Sequence, residues 1–390
     1  MRAYRDILAV PGAAWFSFTG AFARLPLSMA GLGIVLLVES RSGSYGRAGA
    51  VAAAFVLVAA VSGPVQGRLA DRLGQAPVLV VAGALHALGM GLLLAVVDTD
   101  LLPFVAAAIA GAGAPQAGNF VRARWAHALK EQPNGRLETA FALEAVLDEA
   151  VFVLGPVLVT FVTLQVLDIG GLLLAATLST GASWFLAAQS RTAPPVTRTR
   201  DEVLEPLLLR LLVPIAIAAI GVGVLFGSTE VIVAAYTKEA GQPGLAGVIL
   251  AIWAAGSLVA GLVVGVLPPG NALNRFRGTV LGMGVLFLPF TTLSSVAVLA
   301  VGMFVAGAMI SPAMIALTRI VQAGTPPRRF TEGLAWVTTG ISGGIALGAA
   351  AAGRLIDAEG ASAGFFVPFV AGLAAFAVAW TLRPGYGGAR

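Results

Sequence analysis

An arginine and four carboxylates stand inside long apolar runs of this sequence: Arg24, Glu144, Asp148, Glu149 and Glu230. Ionisable groups at membrane depth are costly, and they face a partner or a wet cavity, so each is a functional candidate by default. Glu144 and Asp148 are four residues apart and share a helix face, whereas Glu149 points about 100° away from Asp148. A single arginine cannot neutralise three acids. One acid is therefore expected to pair with Arg24 while another holds or exchanges a proton. Burial and a neighbouring guanidinium act on a carboxyl's proton affinity in opposite directions, so alternate exposure would make proton uptake and release depend on conformation. The competing reading is a permanent clamp between Arg24 and one carboxylate. Glu230, in Gly-Ser-Thr-Glu230, is read as a substrate contact or external cap, or as a hydrogen-bonding group between helices. These five residues form the expected proton-coupling and substrate-cavity set.

Other chemistries find little support. There are no cysteines and only two histidines, His86 and His127. A thiolate metal site is therefore excluded, a histidine-rich metal site and a Ser-His-Asp site are disfavoured, and no metal or cofactor is expected. Gly340-Ile-Ser342-Gly-Gly344 matches the G-x-S-x-G hydrolase pattern but falls in an apolar run with no strand before it. Gly221-Val-Gly223 says nothing about nucleotides, and no G-x-x-x-x-G-K-[ST] exists. The chain reads as a carrier and not as an enzyme.

The elements that must position these charges follow from composition. Of 390 residues, 58% are apolar and 11% charged, against roughly 45–50% and 25% in a soluble domain. Apolar runs lie near 13–38, 46–65, 78–97, 101–121, 138–164, 169–189, 211–236, 245–267, 278–294, 296–318, 331–352 and 361–382. They predict an all-α membrane protein of twelve transmembrane helices. Arg24 lies some eleven residues into span one, about 17 Å along a helix. Asp148 lies at a similar depth in span five, which runs the same way.

With a cytoplasmic N-terminus, nineteen of the 24 Lys and Arg residues fall in inner segments. Four fall outside: Arg41, Arg47, Lys238 and Arg354. This bias puts both ends in the cytoplasm and the protein in the inner (plasma) membrane. The net charge of +5 thus reports orientation and not nucleic-acid binding. A cleavable signal peptide, suggested by Arg2, Arg5 and Ala21-Phe22-Ala23, is disfavoured because Pro11 and Gly12 interrupt its apolar stretch. Segment 190–210 carries Pro194-Pro195 and mixed charges, as an exposed linker would. The expected organisation is an N-terminal six-helix bundle (1–190), a cytoplasmic linker (191–210) and a C-terminal six-helix bundle (211–390).

The two halves resemble one another. Arg136-Leu-Glu-Thr-Ala-Phe-Ala-Leu…Val-Leu-Gly155 aligns without gaps on Arg329-Phe-Thr-Glu-Gly-Leu-Ala-Trp…Ala-Leu-Gly348 at an offset of 193 residues. Such symmetry is the mark of repeat-built transporters, whose substrate site lies near the midplane. Between spans two and three stands Gly67-Arg-Leu-Ala-Asp71-Arg72-Leu-Gly74-Gln-Ala-Pro77. It resembles the G-x-L-a-D-r-x-G-r-k loop signature of the major facilitator superfamily, whose loop acts as a cytoplasmic latch. The resemblance implies a gate of Gly67, Asp71, Arg72 and Gly74, with Arg122 assigned to it. Gln75 and Ala76 replace the trailing basic pair, and the equivalent loop from Gly265 to Arg275 lacks the aspartate, so the latch is expected to be one-sided. Gly155-Pro156 is similar to part of the family's antiporter motif.

Bland readings cover most remaining residues. Arg122 and Arg124 suit interfacial anchors as well as a gate. His86 suits an interhelical hydrogen bond, Glu332 a helix N-terminus, and the glycine stripe Gly340, Gly344, Gly348 close helix contact. The six tryptophans mostly suit membrane interfaces, with Trp253 and Trp336 as candidate cavity linings. The expected function is secondary active transport by alternating access: proton-coupled efflux of a small amphipathic or hydrophobic compound. The alternatives are proton symport of a small organic solute and a non-transporting receptor or assembly partner. Expected partners are the small-molecule substrate, protons and the lipid bilayer, with no nucleic acid, and the protein is expected to be a monomer.

Overall fold

The computed structural model describes residues 2–130, 134–196, 209–266, 270–292, 295–325 and 330–382. Most of the expected linker, 197–208, lies outside them. No strand occurs among the described residues, as expected where backbone polar groups must be satisfied within each apolar segment.

The helices are α1 (Arg2–Leu8), α2 (Ala13–Ser42), α3 (Tyr45–Leu73), α4 (Gln75–Val96), α5 (Leu102–Ala112), α6 (Ala117–Ala128), α7 (Asn134–Phe161) and α8 (Gly170–Ala188). They continue as α9 (Leu209–Glu239), α10 (Ala246–Val266), α11 (Ala272–Phe287), α12 (Val296–Gly307), α13 (Ile310–Gly324), α14 (Phe330–Glu359), α15 (Ala361–Gly364) and α16 (Phe366–Thr381). Ten helical segments among the described residues are long and apolar enough to cross a membrane. The two remaining apolar runs hold shorter helices. Run 101–121 is split between α5 and α6, and run 278–294 lies in α11 followed by a 3-10 turn over Leu288–Thr292. The Ala21-Phe22-Ala23 triplet lies in the interior of α2, which begins after Pro11 and the left-handed Gly12 (φ 80°).

The break between α5 and α6 follows from Gly113 and Pro115, and frees backbone groups at membrane depth. Gln66 of α3 satisfies them. Its Nε2 donates to the carbonyls of Ala112 (3.2 Å) and Ala114 (2.9 Å), and its Oε1 accepts from the Gln116 amide (3.3 Å). One buried amide side chain thus replaces the missing turn.

The chain forms two compact units. The first comprises Met1–Ile34 and Val58–Arg200; the second comprises Val35–Leu57 and Asp201–Arg390. In the first, Phe16, Leu79, Phe120, Trp125 and Leu186 belong to one buried cluster. In the second, Tyr236, Phe287, Phe290 and Phe365 interlock edge to face and stacked. There α14 lies against α9 with backbone contact: a Cβ on Gly344 would overlap the Ile220 carbonyl oxygen, and one on Gly227 that of Ile345.

Candidate functional site

Within the first unit, α2 brings Arg24 to the face of α7 that carries Glu144 and Asp148. Arg24 Nη2 meets Glu144 Oε2 at 2.5 Å, and Nη1 meets Asp148 Oδ1 at 3.0 Å. Arg24 Nε also donates to the Gly20 carbonyl one turn back, at 3.1 Å. Glu144 is wholly buried. Its second oxygen accepts from Ser17 Oγ (2.6 Å) and from the Trp125 indole (2.8 Å). Its charge is therefore met by one cation and two neutral donors, the condition for holding a buried carboxylate.

Asp148 is placed differently. Arg122 of α6 donates to its Oδ2 at 2.6 Å, opposite Arg24 on Oδ1. The cluster is two guanidiniums against two carboxylates. The Asp148 and Arg122 side chains are 28% and 38% exposed, against 0% for Glu144, so Asp148 is the more accessible of the two paired acids. Gly118 makes room for both cations. A Cβ there would stand 3.1 Å from Arg24 Cδ and 3.3 Å from Arg122 Nη1. Glu149, half-buried and turned from this face, has no hydrogen bond or ion pair among the described residues.

Beside this cluster, α7 touches α2 at a point where a side chain would not fit. A Cβ on Gly155 would overlap Ser28 Oγ, which donates to the Val151 carbonyl at 2.8 Å. The Gly155-Pro156 pair thus sets how closely the two charge-bearing helices approach.

The loop signature turns from α3 into α4 at Gly74, whose φ of 86° is left-handed. Gly67 has no such need: it lies within α3 with open space at its Cβ position. Asp71 and Arg72 are exposed in the last turn of α3 and form no ion pair or hydrogen bond among the described residues. Arg122, expected at this gate, has its guanidinium on Asp148.

Arg124 is not a surface anchor: it is wholly buried. Its Nε donates to Gln75 Oε1 (2.8 Å), Nη1 to the Gln189 carbonyl (2.9 Å) and Thr192 Oγ1 (2.8 Å), and Nη2 to the Leu186 carbonyl (2.9 Å). The physical reason is that the C-terminal end of α8 offers carbonyls beyond the regular helical ladder and a negative dipole end, which suit a cation. Gln75, one of the departures from the loop signature, is what holds the guanidinium on its other side. Trp125 likewise departs from the interfacial pattern and is buried against Phe16, with ring centroids 4.8 Å apart. Trp15, Trp184, Trp336 and Trp380 are exposed, and Trp253 is buried. His86 Nδ1 pairs with the Ala110 carbonyl at 2.9 Å. The side chain of Glu332 lies outside the described residues.

The second unit holds its own polar sites. Glu39 near the end of α2 takes both hydrogen bonds of Lys238 Nζ, at 2.6 and 2.8 Å. Asp357 of α14 accepts from the amides of Tyr45 and Gly46, both at 2.8 Å, and from Ser44 Oγ at 2.6 Å. It thereby caps the first turn of α3 from another helix. Glu239 accepts from the Ala361 amide at 2.8 Å. Nothing in the local sequence marks Asp357 or Glu39, because their partners are distant in the chain. Glu230 lies on α9 with no hydrogen bond or ion pair among the described residues.

Several solved structures share the fold. A variant of the nucleoside transporter NupG superposes with a TM-score of 0.76 at 13% identity, covering 94% of this chain and 98% of that one. A variant of the peptide transporter POT in complex with sulfate gives 0.74 at 15%, covering 98% of each chain. The human organic anion transporter MFSD10 (TETRAN) gives 0.66 at 15%, covering 96% and 99%. A comparison with curated proteins found no match. The family model of the Major Facilitator Superfamily matches residues 16–277, well over half of the sequence. With its membrane-length helices and this shared architecture, the chain belongs to the Major Facilitator Superfamily and is a multi-pass membrane transporter.

Proposed function

We propose that the protein is a proton-coupled secondary transporter that works by alternating access and exports a small amphipathic or hydrophobic compound. In this reading the bundles 1–190 and 211–390, joined by the cytoplasmic linker 191–210, rock about a midplane site in the inner membrane, with both termini cytoplasmic. The protein acts as a monomer. The observation that carries the reading is the paired cluster Arg24–Glu144 and Arg122–Asp148, in which one acid is sealed and the other is reachable. Glu144 holds Arg24 in position. Asp148 takes the proton, which discharges its pair with Arg122 and loosens α6 from α7. Release of that proton on the other side of the membrane restores the pair and resets the carrier.

In the same reading Gly74 and the exposed Asp71 and Arg72 serve the cytoplasmic latch.

Purified protein in proteoliposomes, assayed for efflux and counterflow with and without a proton gradient, tests the reading. Gradient-stimulated efflux that disappears in Asp148→Asn is expected. Transport indifferent to the gradient in wild type, or coupling retained in Glu144→Gln, Asp148→Asn and Glu149→Gln alike, overturns proton exchange at this cluster. Proton symport of a small organic solute is the second reading. The part-exposed guanidinium of Arg122 favours it, since an anionic group on a solute could replace a protonated Asp148 there. The same vesicles report direction.

A further inference from the structure

The cluster in the first unit leaves two intramembrane acids unused, Glu149 beside it on α7 and Glu230 on α9. Glu230 lies nine residues before the end of α9, about 14 Å along the helix axis, and has no polar partner among the described residues. An ionisable side chain at that depth without a partner calls for an explanation. The packing of α9 does not supply one. Its α14-facing stripe is Gly223, Gly227 and Ser228, pressed against the α14 backbone at Ile341, Ile345 and Gly348. Glu230 follows Phe226 by four residues, so the two lie about 40° apart on one face of the helix.

Phe226 packs on Trp253 of α10, with ring centroids 5.4 Å apart. Trp253 is more than nine-tenths buried, and its indole N–H has no hydrogen-bond partner among the described residues. Buried indole N–H groups usually find an acceptor. The ring is also held from behind: a Cβ on Gly307 of α12 would overlap the Trp253 carbonyl and stand 3.1 Å from its Cδ1. A lone acceptor anion, an aromatic face and a lone donor are therefore presented by neighbouring helices of one unit. Nothing else in the protein offers this combination among the described residues. The apolar groove bounded by Ile217, Val224, Leu355, Phe366 and Val370 has no polar counterpart of this kind.

Resting on the transporter reading, we infer that Phe226, Glu230 and Trp253 form the subsite that receives the head of the transported compound, an alkylammonium that bears an aromatic ring and an oxygen acceptor near its cationic nitrogen. Glu230 neutralises the ammonium group. Phe226 and Trp253 stack on the ring or on the charged nitrogen, and the indole N–H donates to the oxygen. A desolvated carboxylate favours a cation and rejects an anion, so the subsite selects by charge, and the indole selects among cations by their oxygen.

The test is equilibrium binding to the purified full chain in nanodiscs, without a gradient, using three probes. Propranolol carries ring, oxygen and ammonium; tetraphenylphosphonium carries charge and rings without an acceptor; 2-(naphthalen-1-yloxy)ethanol carries ring and oxygen without charge. Glu230→Gln is expected to weaken both cations by about ten- to a hundred-fold and to leave the neutral ether within about two-fold. Trp253→Phe is expected to weaken propranolol by about three- to ten-fold and to leave tetraphenylphosphonium within about two-fold. Melting temperatures of both variants serve as the control for folding, and Glu230→Asp replaces Glu230→Gln if the latter is not folded. Wild type that binds neither cation at about 1 mM, or cation binding unchanged by the substitutions at Glu230, overturns the inference. Binding that follows this pattern in a chain that transports nothing keeps the subsite and sinks the transport reading. Gradient-driven transport of another solute without cation binding does the reverse.

Discussion

Helices α2 and α7 approach one another through charge, whereas α9 and α14 approach through bare backbone, although an offset of 193 residues relates α7 to α14 in the sequence. In the first pair, Arg24 sits between Glu144 and Asp148. At the same offset Glu144 corresponds to Val337 and Asp148 to Ile341, and the second pair closes with Gly223, Gly227, Gly344 and Gly348. Both arrangements answer the lack of a hydrophobic drive between helices in lipid, where packing and polar contacts must supply the attraction. They differ in what can change them. An ion pair can be discharged by a proton, while a glycine contact has no charge state. The first pair is thus suited to switching and the second to transmitting a motion rigidly, and the close approaches beside the charges, Gly155 on Ser28 and Gly33 on Val159, are to side chains and not to carbonyls.

The comparison breaks most severely at its packed side. Gly344→Leu forces a side chain into the Ile220 carbonyl, and loss of a monodisperse fraction on gel filtration is expected. Gly343→Leu, one residue away with open space at its Cβ position, is expected to purify normally. On the charged side, Arg24→Met strands the buried Glu144. A destabilisation of about 3–5 kcal/mol is expected in thermal or denaturant unfolding. The double variant Arg24→Met with Glu144→Met should recover most of that stability without recovering transport. If it recovers transport too, the pair is a clamp and nothing more.

Smaller effects sharpen the difference between the two acids. Asp148→Asn should leave the melting temperature nearly unchanged yet convert gradient-driven transport to equilibration, read as loss of stimulation by an imposed proton gradient. Glu149→Gln should leave the stimulation largely intact, because Glu149 stands off the cluster face. Arg122→Ala should cost about 0.5–1 kcal/mol of stability, the scale of a part-exposed ion pair. Its larger consequence should be a displaced pH profile of transport.

Helix phase made part of the site legible. The spacing of Glu144, Asp148 and Glu149 assigned two acids to one face and the third to another, and matching depths in spans one and five brought Arg24 opposite them. Arg122 and Arg124 were not separable by that route. They are two residues apart at the end of the same apolar run, yet one guanidinium meets a carboxylate and the other enters a cage of neutral oxygens. Gln66 and Gln75 carried no sequence signal either, since a glutamine's role as a substitute backbone partner depends on which helix breaks beside it.

The sequence by itself determined the membrane class, the approximate spans, the family loop and the buried charges, because hydropathy, turn chemistry and helical period are properties of neighbouring residues. Only the tertiary structure decided that Glu144 is sealed by Ser17 and Trp125, that Asp148 is shared by two arginines, and that Glu230 and the Trp253 indole lack polar partners among the described residues. Those outcomes depend on how closely separate helices approach and at what rotation. Residues as small as Gly118 and Gly155 set that approach, and their partners lie far away in the chain.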